Sequence, residues 1–522
     1  MHTTPPNTHH QLRGSLLALL LLAGCTGPGN REPGLLVTVD TGSLEGVRAD
    51  GVAHFRGIPY AASPDGKWRW RPPRPATRWT GVRPAQDYGP TCAQPDSKLL
   101  WFKLENTSED CLTLNITTPD IRPAAPLPVM VWIHGGGFSQ GSGNLPQLNG
   151  TALPKQGIVV VTINYRLAMF GFLAHPALAR PGEPVGNYGL LDAVAALQWV
   201  QRNIAAFGGD PARVTIFGES AGADAVNHLL VMPAAKGLFT QAISQSSSVG
   251  MAPEPLLRER AGFNPPAEEI ARNFIAKLGL PPGADLATAL RALPTAELLA
   301  AMGERDRFAP IVDGETIPQQ VGRLFAAGRQ HPVRYLTGGN SWEASLGRSI
   351  GGGFSPAFAA RLVPAADKAR LYPGLSGDTL DDAIFGDLII LANSRYLANR
   401  MREQGMPVHA YYFSYVADDR RATQPGAAHA DDIPFVMGTL DTGTGVVSRR
   451  DRAISRLMTR YWAQFAKTGD PNGAGLPEWP AYERESARVL ELGDEVRIRD
   501  GLFRARMDYH LQRGEALLRA TP

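Results

Sequence analysis

The stretch RVTIFGESAGADAV, residues 213–226, carries the clearest structural signal in this chain. Four apolar residues, VTIF, run into a corner of small residues around Ser220, and the helical pattern ADAVNHLLV follows the corner directly. Gly218 and Gly222 permit the close backbone approach that lifts a serine hydroxyl clear of a sheet. The stretch therefore predicts a nucleophile elbow with Ser220 at its tip, and a tight turn without further function is the alternative.

A second stretch, GRSIG at residues 347–351, has the same G-x-S-x-G spacing. Because 56 of the 522 residues are glycine, this spacing is expected about 0.3 times by chance, so it is weak evidence alone. No apolar strand precedes GRSIG, and no helical pattern directly follows it. Only Ser220 combines strand, turn and helix, and we predict it to be the functional serine.

The composition is that of an ordinary globular protein, with 43% hydrophobic and 19% charged residues. Lys and Arg number 52 and Asp and Glu 49, which leaves a formal charge of +3. This balance gives no reason to expect nucleic acid or an anionic surface as a partner. No run of 18 apolar residues occurs after the N-terminus, and no motif calls for a metal or a cofactor.

The first 24 residues have the pattern of a signal peptide. Arg13 precedes the apolar run LLALLLLAG at residues 16–24, which is too short to span a membrane. The sequence Leu-Ala-Gly-Cys ending at Cys25 is similar to the lipobox of bacterial lipoproteins, so we predict lipidation of Cys25 and a flexible tether over residues 25–34. Export to the bacterial cell envelope follows, and a plain secretory signal that delivers a periplasmic or secreted protein is the alternative.

Two further cysteines, Cys92 and Cys111, lie 19 positions apart. An exported chain meets an oxidising compartment, where such a pair forms a disulfide, although two buried free thiols are also compatible with the sequence. A disulfide closing a loop of this length is worth about 3 kcal/mol in the chain-entropy model.

Apolar runs alternate with helical stretches along the chain. Strands are predicted at 129–134, 158–165, 214–217, 241–246, 334–338 and 409–415, and a helix within 187–211. Strands that are apolar nearly throughout indicate a mostly parallel sheet covered by helices on both faces, that is, an α/β fold. Residues 254–332 and 353–403 are predicted helical insertions that cap the sheet. We predict one catalytic domain over residues 35–522.

A serine nucleophile needs a base, usually a histidine, that a carboxylate orients. In this architecture the chain order is Ser, acid, His, which counts against His54 and His175. Of the histidines after Ser220, His228 lies in the helix that leaves the elbow, and His331 and His409 lie at the start of or within predicted strands. His429 and His510 remain, and His429 is better placed because it lies in a loop of small residues after a predicted strand, whereas His510 lies in a predicted terminal helix. Glu343, just past the strand at 334–338, is the candidate acid, with Asp306 and Asp313 as rivals.

A glycine-rich loop offers the third component, an anion site for the reaction intermediate. WIHGGGF, residues 132–138, places three glycines directly after a strand, where main-chain amides can reach a ligand unobstructed. It matches the HGGG form of an oxyanion hole. The amides of Gly136, Gly137 and Ala221 are the predicted donors.

These motifs together resemble the type B carboxylesterases, the cholinesterase-like branch of the α/β-hydrolases. The resemblance extends from FRGIPYA (55–61) to WPAY (479–482), and includes SEDCLTLNI (108–116), VTIFGESAG (214–222) and PIVDGE (310–315). It implies the α/β-hydrolase fold, with Ser220 as nucleophile, Glu343 as acid and His429 as base. It also implies that Cys92 and Cys111 close the first disulfide loop, that Glu219 orders the active centre, and that Trp101 lies where cholinesterases bind cations. For Trp101, packing is the alternative role.

Two positions depart from the family pattern. Trp342 and Ala344 flank the acid where Asp-Glu-Gly is usual, and Ser247 replaces a glycine near the acyl pocket. We predict a serine hydrolase that cleaves small carboxylic esters through an acyl-enzyme. The alternatives are a lipase, an amide or carbamate hydrolase, or a non-catalytic cell-surface binding protein on the same scaffold.

Overall fold

The computed structural model describes residues 35–96, 106–303 and 306–521. The predicted signal peptide and tether, Cys25 and Trp101 lie outside the described residues.

The helices and strands alternate along most of the chain. The strands are β1 Leu35–Val39, β2 Gly42–Ala49, β3 Val52–Pro59, β4 Val82–Pro84, β5 Thr91–Cys92, β6 Thr107–Ser108, β7 Thr113–Thr118, β8 Leu127–Ile133, β9 Val159–Ile163, β10 Gly209–Glu219, β11 Gln241–Gln245, β12 Arg334–Asn340, β13 Val408–Phe413, β14 Val489–Leu492 and β15 Val496–Arg499. The α-helices are α1 Ala152–Lys155, α2 Ala168–Phe172, α3 Tyr188–Asn203, α4 Ala221–Leu229, α5 Ala267–Ala276, α6 Leu286–Ala292, α7 Thr295–Ala301, α8 Val321–Ala326, α9 Ala344–Ile350, α10 Pro356–Arg361, α11 Ala365–Leu371, α12 Gly377–Phe385, α13 Ala392–Glu403, α14 Asp432–Met437, α15 Arg449–Thr468 and α16 Arg504–Ala520. A π-helical segment, Gly386–Leu391, joins α12 to α13, and short 3-10 turns occupy Gly66–Trp68, Pro146–Leu148, Pro176–Leu178, Ile204–Phe207, Pro233–Ala235, Gly352–Phe354 and Leu440–Thr442.

One large sheet organises the fold. Its strand order is β1-β2-β3-β7-β9-β8-β10-β11-β12-β13-β14-β15, with β4 paired to β2. In this order, neighbouring strands from β9 to β14 pair in parallel. The pairs from β1 to β9 and the last pair, β14 with β15, are antiparallel, and β4 pairs in parallel with β2. Parallel strands end at the same edge of the sheet, so the loops after β8, β10, β11, β12 and β13 meet there.

The central strand β8 shows why the sheet must be covered on both faces. Val129, Val131 and Ile133 belong to the core that includes residues of α3 and α4, whereas Met130 and Trp132 belong to the core that includes residues of α15. Successive side chains of a strand point to opposite faces, so a strand buried on both sides reads as a continuous apolar run. The apolar runs in the sequence therefore predicted this sheet correctly.

The helix predicted within 187–211 forms as α3 followed by a 3-10 turn, and it ends at Gly208, whose φ of 82° lies in the left-handed region. The predicted strand at 214–217 is longer than expected, since β10 begins at Gly209, with an irregular register against β8 between Gly209 and Val214. The predicted insertions contain α5 to α8 and α10 to α13.

The predicted disulfide between Cys92 and Cys111 is present, with both residues buried. Among the helices of the described residues, none has the length and apolar character needed to cross a membrane. The same residues contain no group of three or more His, Cys, Asp or Glu side chains arranged to hold a metal ion.

Candidate active site

Ser220 lies at the sharp corner between β10 and α4. Its φ of 57° and ψ of −129° fall outside the regions that side chains usually occupy. The corner is held by hydrogen bonds from the Ser220 amide to the carbonyl of Gln245 (2.9 Å) and from the Asp224 amide to the carbonyl of Ser220 (2.9 Å). The Ser220 backbone is thus fixed in the strained conformation that a nucleophile elbow requires.

The two glycines of the elbow are required by its packing against β8. A Cβ atom added at Gly222 would lie 2.0 Å from the carbonyl oxygen of Ile133, and one added at Gly218 would lie 2.6 Å from the same oxygen. Both contacts are to main chain and cannot be relieved by a side-chain rotation. The spacing G-x-S-x-G in the sequence is therefore a consequence of how closely α4 approaches β8.

Gly222→Ala is expected to lower the free energy of unfolding by about 3 kcal/mol, because the new methyl group forces β8 and α4 apart. Chemical denaturation measured by circular dichroism tests this. Gly443→Ala is the matched control: Gly443 has an ordinary φ of −82°, and its added Cβ would meet nothing closer than 3.7 Å. Equal stability of the two variants would contradict the packing argument.

The glycine loop after β8 lies against the elbow. A Cβ added at Gly135 would be 3.2 Å from the Cβ of Ser220. Gly136, Gly137 and Phe138 all have positive φ, of 111°, 63° and 57°. The carbonyl of Gly136 accepts hydrogen bonds from the amides of Ser139 (3.2 Å) and Gln140 (3.1 Å), which close the turn.

Main-chain amides at this turn are free to bind an anion. Within the described residues, the N–H groups of Gly136 and Gly137 have no hydrogen-bond acceptor. Ala221 is the first residue of α4, and the first N–H groups of a helix have no partner inside it. The structure thus brings all three predicted oxyanion donors to the neighbourhood of Ser220.

Glu343 and His429 form a direct hydrogen-bonded pair. The Glu343 Oε2 atom lies 2.5 Å from Nδ1 of His429, across 86 positions of sequence. The other carboxylate oxygen accepts from the Asn340 amide (2.6 Å) and from the Ser246 hydroxyl (2.7 Å). With these contacts the carboxylate is fully engaged, and the Glu343 side chain is completely buried.

The loop that carries His429 is held to the loop that carries Glu343. The His429 amide donates to the Ser345 hydroxyl (2.8 Å), and the Asn340 side-chain amide donates to the carbonyl of Ala428 (2.7 Å). The Trp342 amide donates to the carbonyl of Ala427 (2.8 Å). These bonds fix the imidazole ring relative to its acid. Ser246, Asn340 and Ser345 were not identified from the sequence, where nothing distinguishes them from other polar residues.

The second ring nitrogen of His429 faces the elbow. Nε2 lies 3.1 Å from Oε1 of Glu219, the residue directly before Ser220, but the angle does not make a hydrogen bond. Within the described residues, Nε2 has no hydrogen-bond partner. This nitrogen is therefore the one available to a serine hydroxyl at the elbow.

Three buried carboxyl groups act electrostatically on the imidazole: Glu219, Glu343 and Asp432. Burial, reinforced by the charges of Asp432 and Glu343, raises the pKa of Glu219 well above its ordinary 4.5, and only the charge of His429 opposes this. Burial lowers the pKa of His429, but the charges of Glu219 and Glu343 outweigh it, so the net change is upward. An imidazolium at position 429 is thus stabilised by its surroundings.

Asp432 is a further buried acid that the sequence did not single out. It accepts hydrogen bonds from the Gln245 side chain (2.8 Å) and the Tyr411 hydroxyl (3.0 Å). Burial raises its pKa despite these bonds. Because Asp432 is the first residue of α14, directly after the His429 loop, it joins that loop to β11 and β13.

The rival residues make contacts elsewhere in the fold. Asp306 pairs with Lys277 (2.5 Å), and Asp313 accepts from the amides of Glu315 and Ile317 in a turn. His510, a residue of α16, has its Nε2 atom 2.8 Å from the Tyr372 hydroxyl. The serine of GRSIG, Ser349, lies exposed in α9 and donates to the carbonyl of Ser345 (2.9 Å).

At both positions that depart from the family pattern, a side chain makes hydrogen bonds within the protein. The buried Ser247 hydroxyl donates to Asp224 (2.7 Å) and accepts from Asn227 (2.8 Å). The Trp342 indole donates to Asp382 in α12 (2.8 Å), which joins the acid turn to the cap. Each departure therefore has a compensating polar partner.

A mostly parallel sheet with this elbow and glycine loop at the ends of its central strands defines an α/β-hydrolase. The sequence model of the Carboxylesterase family matches residues 33–353 and 376–510 of this chain. The chain belongs to the carboxylesterase family.

Curated relatives of similar length support this assignment. The chain is 35% identical over 510 residues to fumonisin B1 esterase of Sphingopyxis macrogoltabida, covering 90% of this chain and 88% of that protein. It is 35% identical over 496 residues to para-nitrobenzyl esterase of Bacillus subtilis (strain 168), covering 89% and 96%. It is 34% identical over 540 residues to liver carboxylesterase 1F of Rattus norvegicus, covering 92% and 94%.

Solved structures of related proteins have the same fold. Two structures of PNB esterase superimpose with TM-scores of 0.78 and 0.75, at 33% and 34% identity, each covering 90% of this chain and 99% of the other. The predicted fold and family are confirmed, and the protein is a serine hydrolase of carboxylic esters.

Proposed function

We propose that Ser220, His429 and Glu343 are the catalytic triad of this esterase. The observation that carries the proposal is the contact between Glu343 and His429 (2.5 Å), which leaves Nε2 of the ring without a partner and facing the elbow. A carboxylate bound to Nδ1 fixes the tautomer in which Nε2 can accept a proton. The free amides of Gly136, Gly137 and Ala221 support an oxyanion hole beside the same serine.

In the proposed mechanism, Nε2 of His429 takes the hydroxyl proton as the Ser220 oxygen attacks the ester carbonyl. The carbonyl oxygen becomes an oxyanion on the three main-chain amides. The imidazolium then protonates the departing alcohol, which leaves an acyl group on Ser220. Water, deprotonated by His429, attacks this acyl-enzyme, and collapse of the second intermediate releases the carboxylic acid and restores the serine.

We propose small carboxylic esters as the substrate class. Two of the relatives are named for chemically different substrates, fumonisin B1 and para-nitrobenzyl esters, so family membership does not single out one ester. A panel of aryl and alkyl esters from acetyl to decanoyl, each with its matched amide, tests the class. Faster turnover of esters than of amides supports it.

A rate jump above the solubility limit of the substrate would instead indicate a lipase. A folded protein that fluorophosphonates do not label would indicate a non-catalytic binding protein.

Glu219→Gln is expected to shift the acid limb of the pH profile of kcat/KM to lower pH. His429 must be neutral to act as a base, so activity is lost as the pH falls through its pKa. The Glu219 anion raises that pKa by stabilising the imidazolium, and the uncharged glutamine removes this effect. Hydrolysis of an aryl ester measured from acidic to alkaline pH checks the shift.

Glu495→Gln is the matched control for this pH experiment, since the Glu495 side chain is 82% exposed. It should leave the acid limb in place. An unchanged limb in Glu219→Gln, or a shift to higher pH, would contradict the proposed coupling between Glu219 and His429.

We also propose that the mature protein is a cell-envelope lipoprotein anchored through Cys25. The lipobox-like sequence supports this, as does the Cys92–Cys111 disulfide, a bond that persists in oxidising compartments. In a bacterial host, the full-length chain should sediment with membranes and enter the detergent phase on phase separation, whereas Cys25→Ser should do neither. Recovery of the unsubstituted chain in the soluble fraction, cleaved elsewhere than before Cys25, would contradict the anchor.

A further inference from the structure

One buried side chain holds the main chain that follows the glycine loop. Gln94 is 7% exposed; its Nε2 atom donates to the carbonyl of Gly141 (2.9 Å), and its Oε1 atom accepts from the amide of Gly141 (2.8 Å). The two residues are 47 positions apart. Within the described residues, the main chain of Gly141 makes no other hydrogen bond. A single glutamine therefore binds both peptide groups of Gly141.

Gln94 is itself held close to the disulfide. Its Nε2 atom also donates to the carbonyl of Cys92 (2.9 Å), and Cys92 is bonded to Cys111. The next amide, that of Ala93, donates to the carbonyl of Ser108 (2.9 Å). The Gln94 side chain thus reaches Gly141 from a backbone that a covalent bond and a main-chain hydrogen bond both fix.

Gly141 packs against the peptide group that joins Gly135 to Gly136. A Cβ added at Gly141 would lie 2.5 Å from the carbonyl oxygen of Gly135 and 2.5 Å from Nδ1 of His134. That nitrogen is 2.9 Å from the same carbonyl oxygen. Because a peptide group is planar, the direction of the Gly136 N–H, a predicted oxyanion donor, follows from that of the Gly135 carbonyl.

The second donor depends on the residue before Gly141. The amide of Gln140 donates to the carbonyl of Gly136 (3.1 Å), which shares a planar peptide group with the N–H of Gly137. A Cβ added at Gly136 would collide with the carbonyl of Gln140. That carbonyl shares a peptide group with the Gly141 amide, which Gln94 binds. Residues 140 and 141 thus support both of the peptide groups that carry the Gly136 and Gly137 donors.

We propose that Gln94 is a positioning residue for the oxyanion hole, because its two hydrogen bonds to Gly141 hold the turn at residues 135–137 in the geometry that accepts the anion. The inference rests on the proposed function, in which the Gly136 and Gly137 amides bind the oxyanion. Such donors act mainly in the transition state, since the charge that they bind develops only there. Loss of Gln94 should therefore slow the reaction more than it weakens substrate binding.

Gln94→Ala removes both hydrogen bonds to Gly141 and tests the proposal. We expect kcat per active site for a para-nitrophenyl ester to fall about tenfold or more and KM to change by less than about threefold, since misplacing a catalytic group by about 1 Å can cost about 10²-fold in rate. Titration to completion with a fluorophosphonate counts the active sites, so an unfolded fraction does not contribute to the measured loss.

A transition-state analogue gives a readout that a loss of stability alone would not move. An aryl trifluoromethyl ketone adds to a serine nucleophile and then carries a negative oxygen where the oxyanion forms. Its inhibition constant should rise in Gln94→Ala by the same factor by which kcat/KM falls. The corresponding methyl ketone adds far less readily, and its inhibition constant should stay unchanged.

Two further variants make the test specific. Gln94→Met fills the same space without either hydrogen bond and should reproduce the losses of Gln94→Ala, while thermal melting shows that both variants are folded. Gln330→Ala is the matched control, because Gln330 is also 7% exposed but donates to the carbonyl of Arg400 in α13 (3.4 Å). It should retain kcat and both inhibition constants.

Unchanged kcat or unchanged affinity for the trifluoromethyl ketone in either Gln94 variant would overturn the proposal. A loss confined to KM, or an equal loss in Gln330→Ala, would overturn it as well. A failure of the proposed function has a different signature. If the unsubstituted protein bound the trifluoromethyl ketone no more tightly than the methyl ketone, the oxyanion hole itself would be refuted, and this inference with it.

Discussion

Ser220→Ala is expected to lower kcat for short aryl esters by about 10⁴-fold or more, because no other group in the proposed mechanism can carry the acyl intermediate. The fold should persist, since alanine retains the Cβ atom and the elbow is held by main-chain hydrogen bonds of residue 220. Stopped assays with para-nitrophenyl acetate measure the rate, and thermal melting checks the fold. Labelling by a fluorophosphonate should disappear in the same variant.

The sequence supplies a matched control for this substitution. Ser349→Ala changes the serine of the other G-x-S-x-G stretch, which lies exposed in α9. It should hydrolyse esters and accept the label at the unsubstituted rate. Turnover retained by a clean preparation of Ser220→Ala, or lost in Ser349→Ala, would refute the assignment of the nucleophile.

Glu343→Gln is expected to lower kcat/KM by about 10³- to 10⁴-fold. The amide preserves the size of the side chain but cannot stabilise the imidazolium, and its NH₂ group favours the tautomer with the proton on the wrong nitrogen. The loss should greatly exceed that of Glu219→Gln, because only Glu343 is hydrogen-bonded to the ring. Steady-state kinetics of both variants on one aryl ester make the comparison.

Glu315→Gln, at an exposed position, controls for the loss of one negative charge and should leave kcat/KM unchanged. If Glu343→Gln retained more than a tenth of the unsubstituted activity, Glu343 would not be the orienting acid. The next candidate would then be Asp432, a buried acid whose charge also raises the pKa of the His429 imidazole.

The fold could be predicted from the sequence because its signals are local. The apolar runs of β8, β9 and β10 needed no long-range information, since burial on both faces imposes a continuous apolar pattern. The antiparallel strands at the beginning of the chain, β1 to β3, were not identified from the sequence. In β1 and β2 buried and more exposed residues alternate, and Leu36 of β1 is exposed. Such strands have a weaker apolar pattern than strands buried on both faces.

The candidate site was partly predictable for the same reason. Ser220 and the glycine loop each lie in a short motif whose spacing follows from close backbone contacts. Glu343 could not be separated from Asp306 and Asp313 by pattern alone, because a carboxylate becomes a triad acid only through a partner elsewhere in the chain. The family resemblance favoured Glu343, and the structure shows the rivals engaged with Lys277 and with a local turn.

The positions of the elbow, the glycine loop and the buried strands follow from local sequence, since they depend on neighbours within a few positions and on the periodicity of burial. Only the packing of distant elements brings Glu343 to His429 and places Ser246 and Asp432 where they act on that pair. Those outcomes depend on groups tens to hundreds of positions apart, whose approach is set by strand order and packing and leaves no local pattern.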